Sequence, residues 1–144
     1  MGKKIRDVMT ASPQTVETSK TALDAAKCMK DADAGMIPVV ADGKLVGTVT
    51  DRDIVVRTLA EGKSPESTTV GEIASRDVIT VEPDQELGDA LGLMARHQVR
   101  RLPVVEHDQL VGIVSLGDLA VKEGKDRRTG DTLQDISAGV KERV

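Results

Sequence analysis

The sequence predicts an α+β fold built from two copies of one strand, helix, strand, strand, helix unit. Sliding the chain by 65 positions lays residues 5–59 on 70–124 without a gap. The identical pairs include Thr15 and Thr80, Val16 and Val81, Asp24 and Asp89, Met29 and Met94, Pro38 and Pro103, Gly47 and Gly112, and Asp53 and Asp118. Each copy alternates short β-rich runs with segments of helical period. A unit of about 55 residues buries too small a share of its surface to be stable alone, so the two copies are expected to pack together.

In each copy the first element is "TVE", at Thr15 and again at Thr80, which reads as a short strand followed by a polar turn. Ala22, Ala25, Ala26 and Met29 then recur at i, i+3, i+4 and i+7, as do Leu87, Ala90, Leu91 and Met94. That spacing puts each set on one helix face turned to a core. "MIPVV" and "RLPVV" are compact β-rich runs. The turns "ADGK" and "EHDQ" follow them, and "LVGTVT" and "LVGIVS" supply the second arm of a hairpin. A last helix begins in "DRDIVVRTL" and in "LGDLAVKEG". The expected organisation is repeat 1 over 1–62, a linker over 63–69, repeat 2 over 70–124 and a polar tail over 125–144. In that tail Leu133, Ile136 and Val140 are spaced for a short helix.

Composition narrows the functional classes. The 144 residues carry a net charge of −4, which leaves no general attraction for nucleic acid phosphates or anionic lipid. No apolar run has the length of a signal peptide or a membrane span, and the single Cys28 allows no internal disulfide, so the expectation is a cytoplasmic protein in a reducing compartment. The chain has no Phe, Tyr or Trp, so Val, Leu, Ile, Met and Ala must fill its core, and the usual stacking platforms for single-stranded nucleic acid are missing.

Thr50-x-x-Asp53 recurs as Ser115-x-x-Asp118. A hydroxyl at the N-cap and an acid three places on start a helix by satisfying backbone donors. The same arrangement suits a ligand, since a helix start offers N–H groups to a phosphate and a carboxylate accepts hydrogen bonds from ribose hydroxyls. On the residues alone both readings stand. Catalysis and metal binding are not expected. Asp51 of "TDRD" is replaced by Leu116 in the second copy, His97 and His107 have no counterparts in the first, and no nucleophile and base share a motif. The basic residues Arg100, Arg101, Lys122, Lys125, Arg127 and Arg128 belong to an acidic chain, so no nucleic acid partner and no membrane partner are expected.

The element order, the paired apolar-Pro-Val-Val strands and the doubled Gly-x-x-Thr/Ser-x-x-Asp ending resemble a tandem cystathionine-β-synthase (CBS) domain pair, or Bateman module. The segments "TDRDIVVRTLAEGKSPESTTVGEIA" and "HQVRRLPVV" are similar to stand-alone bacterial CBS-pair proteins of the hypoxic response type. The resemblance implies two repeats packed through their sheets with pseudo-two-fold symmetry. It further implies a regulatory module that binds an adenosine-containing ligand (AMP, ATP, ADP, NAD(H) or S-adenosylmethionine) in clefts between the halves. Carried over residue by residue, it gives ribose and hydroxyl contacts to Thr50, Asp53, Ser115 and Asp118, and phosphate contacts to Arg100 and Arg101. The first copy has Gly35 and Met36 at the positions of that arginine pair, so Arg52 is the substitute clamp there. The adenine slot falls to Val16, Met36, Ile37, Pro38, Val81, Leu102 and Pro103. No obligatory cofactor is implied. A homodimer is expected to cover the remaining apolar helix faces, and the regulated effector protein would be a separate chain. The alternative is a ligand-free dimeric scaffold acting on a partner protein.

Overall fold

The computed structural model describes residues 2–123, so the tail expected over 125–144 lies outside the described residues. In chain order the elements are α1 (Ile5–Val8), β1 (Thr10–Ala11), β2 (Val16–Glu17), α2 (Ala22–Ala32), β3 (Met36–Ala41), β4 (Lys44–Thr50), α3 (Asp51–Ile54), a π-helical segment (Val55–Leu59), α4 (Val70–Ile73), α5 (Leu87–His97), β5 (Arg101–Glu106), β6 (Gln109–Ser115) and α6 (Leu116–Glu123). None of these helices is long and apolar enough to cross a membrane. The α+β class and the helix, hairpin, helix order in each copy agree with the sequence, and the strand expected before them forms in the first copy alone. The short helices α1 and α4 and the strand β1 are additions to that order.

The compact units are cut differently from the sequence repeats. One is Gln14–Val78, and the other combines residues 2–13 with residues 79–123. The opening helix of each repeat is therefore built into the body formed by the other repeat's sequence. In Gln14–Val78, β2 pairs in parallel with β3, β3 pairs antiparallel with β4, and Thr48 bridges antiparallel to Ser75. Its core joins Ala22, Ala25 and Met29 of α2 to Ile37, Val39, Val49, Val70 and Ile73. In the other unit β1 and β5 flank β6, and Val81 bridges in parallel to Val104, which is all that forms of the expected strand at Thr80. Ile5, Leu87, Leu91, Met94, Leu102, Val104, Val114 and Leu119 fill that core.

The stretch expected as a linker is packed into the Gln14–Val78 unit. Pro65 and Thr68 accept hydrogen bonds on their carbonyls from the N–H groups of Leu23 (3.0 Å) and Ala22 (2.8 Å), and Thr68 is buried. These carbonyls serve donors at the start of α2 that have no partner within the helix.

Turn chemistry differs between the hairpins. Asp42 and Gly43 take φ of 54° and 79°, while His107 and Asp108 take 51° and 65°. Two-residue turns with both φ positive favour Asn-Gly or Asp-Gly, because a side chain in this region meets the backbone. The second hairpin has no glycine to relieve that strain. Asp108→Gly is expected to raise stability by about 0.5–1 kcal/mol in a thermal melt followed by circular dichroism. An unchanged or lowered midpoint would show that the Asp108 conformation is not strained.

Candidate functional site

The site is built where β5, β6 and α6 meet. A cavity of about 340 Å³ there is lined by Arg100, Arg101, Ser115, Leu116 and Gly117. Its volume lies at the low end of the range, roughly 300–1,000 Å³, of small-molecule sites. β5 and β6 pair antiparallel with Arg101 opposite Ser115, which brings the arginine pair to the strand end where α6 begins. The Leu116 N–H donates to the Arg100 carbonyl at 2.8 Å and fastens the helix start to the arginine segment. Arg100 is exposed and Arg101 half-buried, and among the described residues neither guanidinium has a carboxylate within ion-pair distance.

The hydroxyl and acid motif forms its cap in both copies. The Ser115 N–H donates to Asp118 Oδ2 and the Asp118 N–H to Ser115 Oγ, each at 3.0 Å. Thr50 and Asp53 repeat the arrangement at the same distances. A similar box closes α2 through Thr21 and Asp24, both bonds at 3.1 Å, where Asp24 is exposed on the helix surface. There the two hydrogen bonds hold the Asp24 carboxyl below its ordinary range. The box by itself is thus a structural device. Asp53 is set apart by burial, at 9% exposure, and by Arg57, whose Nε lies 3.8 Å from Asp53 Oδ1. Arg57 Nη1 also donates to the Ile73 carbonyl at 3.2 Å, so Asp53 helps hold the end of α4.

The residues expected to form an adenine slot divide into two groups. Val16, Ile37, Val81 and Leu102 are core side chains, none more than 7% exposed. Pro38 and Pro103 are buried within β3 and β5, while Met36 is half-buried at the start of β3. Arg52 is exposed on α3, one residue after Asp51.

Three further residues near the helix starts belong to the site or its counterpart, and no sequence motif marks them. Leu116 and Gly117 line the cavity, and a Cβ added at Gly117 would meet only Ser115 Oγ, at 3.6 Å, leaving the backbone open. Asp51 packs against Gly35, where an added Cβ would lie 3.2 Å from Asp51 Oδ2. The exchange of Asp51 for Leu116 between the copies is the one signal of them in the sequence. Among the described residues, no three His, Cys, Asp or Glu side chains are grouped to hold a metal ion.

The CBS domain model matches twice, at residues 5–58 and 70–122. The CBS domain-containing protein YhcV of Bacillus subtilis is 45% identical over 133 residues, covering 92% of this chain and 94% of its own length. Hypoxic response protein 1 of Mycobacterium tuberculosis is 40% identical over 116 residues, covering 80% of this chain and 81% of its own. A crystal structure of Hypoxic Response Protein I with two coordinated zinc ions aligns with a TM-score of 0.77 at 38% identity, over 83% of this chain and 98% of that one. The CBS domain pair of protein MJ0100, in complex with 5′-methylthioadenosine and S-adenosyl-L-methionine, aligns with a TM-score of 0.75 at 29% identity, over 88% of this chain and all of that one (100%).

Proposed function

The chain belongs to the CBS domain family as a tandem pair, and we propose that it is a regulatory module that binds an adenosine nucleotide through its phosphate at Arg100, Arg101 and the start of α6. CBS-pair proteins are regulatory, and the MJ0100 pair holds two adenosyl compounds. The observation that carries the reading is the cavity itself, which joins two guanidiniums without carboxylate partners among the described residues to a helix start presenting Ser115 and the bare backbone of Gly117. Guanidinium forks bind phosphate oxygens in bidentate fashion, and a helix N-terminus adds N–H donors and a partial positive charge. Asp118 is the ribose acceptor, with Oδ1 available in addition to the Oδ2 used in the cap. AMP, ADP, ATP and NAD(H) carry phosphate; S-adenosylmethionine does not, and ranks below them here.

The module acts without catalysis, through a partner protein in the cytoplasm. Its assembly is a homodimer, supported by Val55, Val56 and Leu59, which stand 54%, 42% and 56% exposed on the helical run after α3. Apolar side chains grouped on one exposed helical segment mark an interaction surface. If the cavity stays empty, the same surface leaves a dimeric scaffold as the function.

The test is a panel of AMP, ADP, ATP, NADH and S-adenosylmethionine in thermal melts. A ligand at 100 times its Kd adds about 2.7 kcal/mol, a rise of several degrees for a chain of this size. A chain without aromatic residues has almost no near-ultraviolet absorbance, so copurified nucleotide is visible directly. A flat panel together with nucleotide-free protein would remove the sensor reading and leave the scaffold.

A further inference from the structure

The two copies present the same backbone bond with different charges around it. In the second, the Leu116 N–H donates to the Arg100 carbonyl at 2.8 Å. In the first, the Asp51 N–H donates to the Gly35 carbonyl at 3.0 Å, the same bond 65 positions earlier. Around that shared bond the side chains are exchanged. Arg100 and Arg101 stand where the first copy has Gly35 and Met36, and Leu116 stands where it has Asp51.

The exchange changes the state of the next N–H along the helix. Arg52 N–H donates to Asp51 Oδ1 at 2.8 Å, so the first copy's donor is already held by an anion of its own chain. The corresponding Gly117 N–H has no acceptor among the described residues, because Leu116 offers none. Asp51 also fills the neighbouring space, with Oδ2 3.2 Å from where a Cβ on Gly35 would be. A phosphate placed there would meet a carboxylate where the second copy has two guanidiniums, and like charges at such distances repel strongly. Arg52 is a single exposed cation beside Asp51, so the local charge cancels. In the second copy the local charge is +2 from Arg100 and Arg101, with no acid among the cavity-lining residues.

We propose that Asp51 is a built-in anion that bars phosphate from the first copy, so that each chain takes one phosphate-bearing nucleotide, at Arg100 and Arg101. This inference rests on the proposed nucleotide binding. Equilibrium dialysis against AMP, read by nucleotide absorbance, tests both. The wild type is expected to bind one equivalent per chain. Arg100→Ala/Arg101→Ala is expected to bind about 10- to 100-fold more weakly, the scale of lost charge-assisted hydrogen bonds. Gly35→Arg/Met36→Arg/Asp51→Leu, which copies the second set of side chains onto the first, is expected to bind two equivalents. Asp51→Asn, which removes the charge and keeps the shape, is expected to admit a weaker second equivalent if the triple variant does not fold. Two equivalents in the wild type, or one in both first-copy variants, would overturn the role of Asp51 and leave nucleotide binding intact. No binding by the wild type would instead remove the nucleotide reading itself, and the inference with it.

Discussion

Gly47→Val is expected to destabilise the protein by about 3 kcal/mol, although valine is a better strand former than glycine and Gly47 lies within β4. The loss comes from a close crossing of backbones. A Cβ at this position would lie 2.6 Å from the Ser75 carbonyl oxygen and 3.6 Å from the Ala74 side chain. Ser75 cannot easily move, because it is bonded twice to Thr48, with Thr48 N–H donating to its carbonyl at 2.9 Å and its own N–H returning to Thr48 at 2.8 Å. Overpacking of this kind costs about 1–3 kcal/mol, and breaking the bridge adds about 1 kcal/mol for each hydrogen bond. Gly112→Ala is expected to cost less, since its nearest neighbour is the flexible Met9 side chain, at 2.6 Å from Sδ, with the Thr10 carbonyl at 2.9 Å. Gly92→Ala serves as the control. Nothing lies within 4 Å of its Cβ position, and alanine within α5 should stabilise by about 0.5–1 kcal/mol. Urea titrations rank the three, and a Gly47→Val midpoint at or above wild type would show that the crossing is not a constraint.

That crossing also marks a boundary of what is legible in the sequence. The glycine of "LVGTVT" and "LVGIVS" is plain in the repeat, but its reason lies in a segment distant in sequence, Ser75 for one copy and Met9 with Thr10 for the other. The apolar periodicity of Ala22 to Met29 and of Leu87 to Met94 is legible because one face of a helix is local information. Those side chains are indeed core. α1 and α4 have four residues each, too short for a periodic signal, and they are held by burial of Ile5, Val8, Val70 and Ile73. The capping boxes can be read from spacing, whereas the capture of the Arg52 N–H by Asp51 depends on a side-chain rotamer. Ile37 and Leu102 are legible as apolar strand residues, and their burial, at 2% and 1% exposure, is set by core packing against elements distant in sequence.

Alanine at Asp118 and at Asp53 is expected to separate two jobs that one motif performs. Both variants lose a cap in which the carboxylate holds the backbone N–H three residues earlier at 3.0 Å, a loss of about 0.5–1 kcal/mol, and Asp24→Ala should lose a similar amount from α2. Beyond this shared loss the two aspartates diverge. Asp53 also faces Arg57 at 3.8 Å, and Arg57 holds the Ile73 carbonyl, so Asp53→Ala loosens α4 and should be the less stable variant. Asp118 starts the helix beside the arginine-lined cavity, where its second oxygen can take ribose hydroxyls. Asp118→Ala is therefore expected to weaken AMP binding by about 100-fold or more, the scale of two hydrogen bonds to a charged acceptor. Asp53→Ala and Asp24→Ala should bind within about threefold of wild type, because the first copy carries its own anion at Asp51 and α2 does not line the cavity at Arg100 and Arg101. Urea titration and calorimetry on the same samples give both quantities, and their ranks should cross, with Asp53→Ala worst in stability and Asp118→Ala worst in affinity. If Asp118→Ala bound AMP as tightly as Asp24→Ala, the carboxylate at the start of α6 would be a cap alone, and affinity would have to come from the arginine pair and the helix backbone.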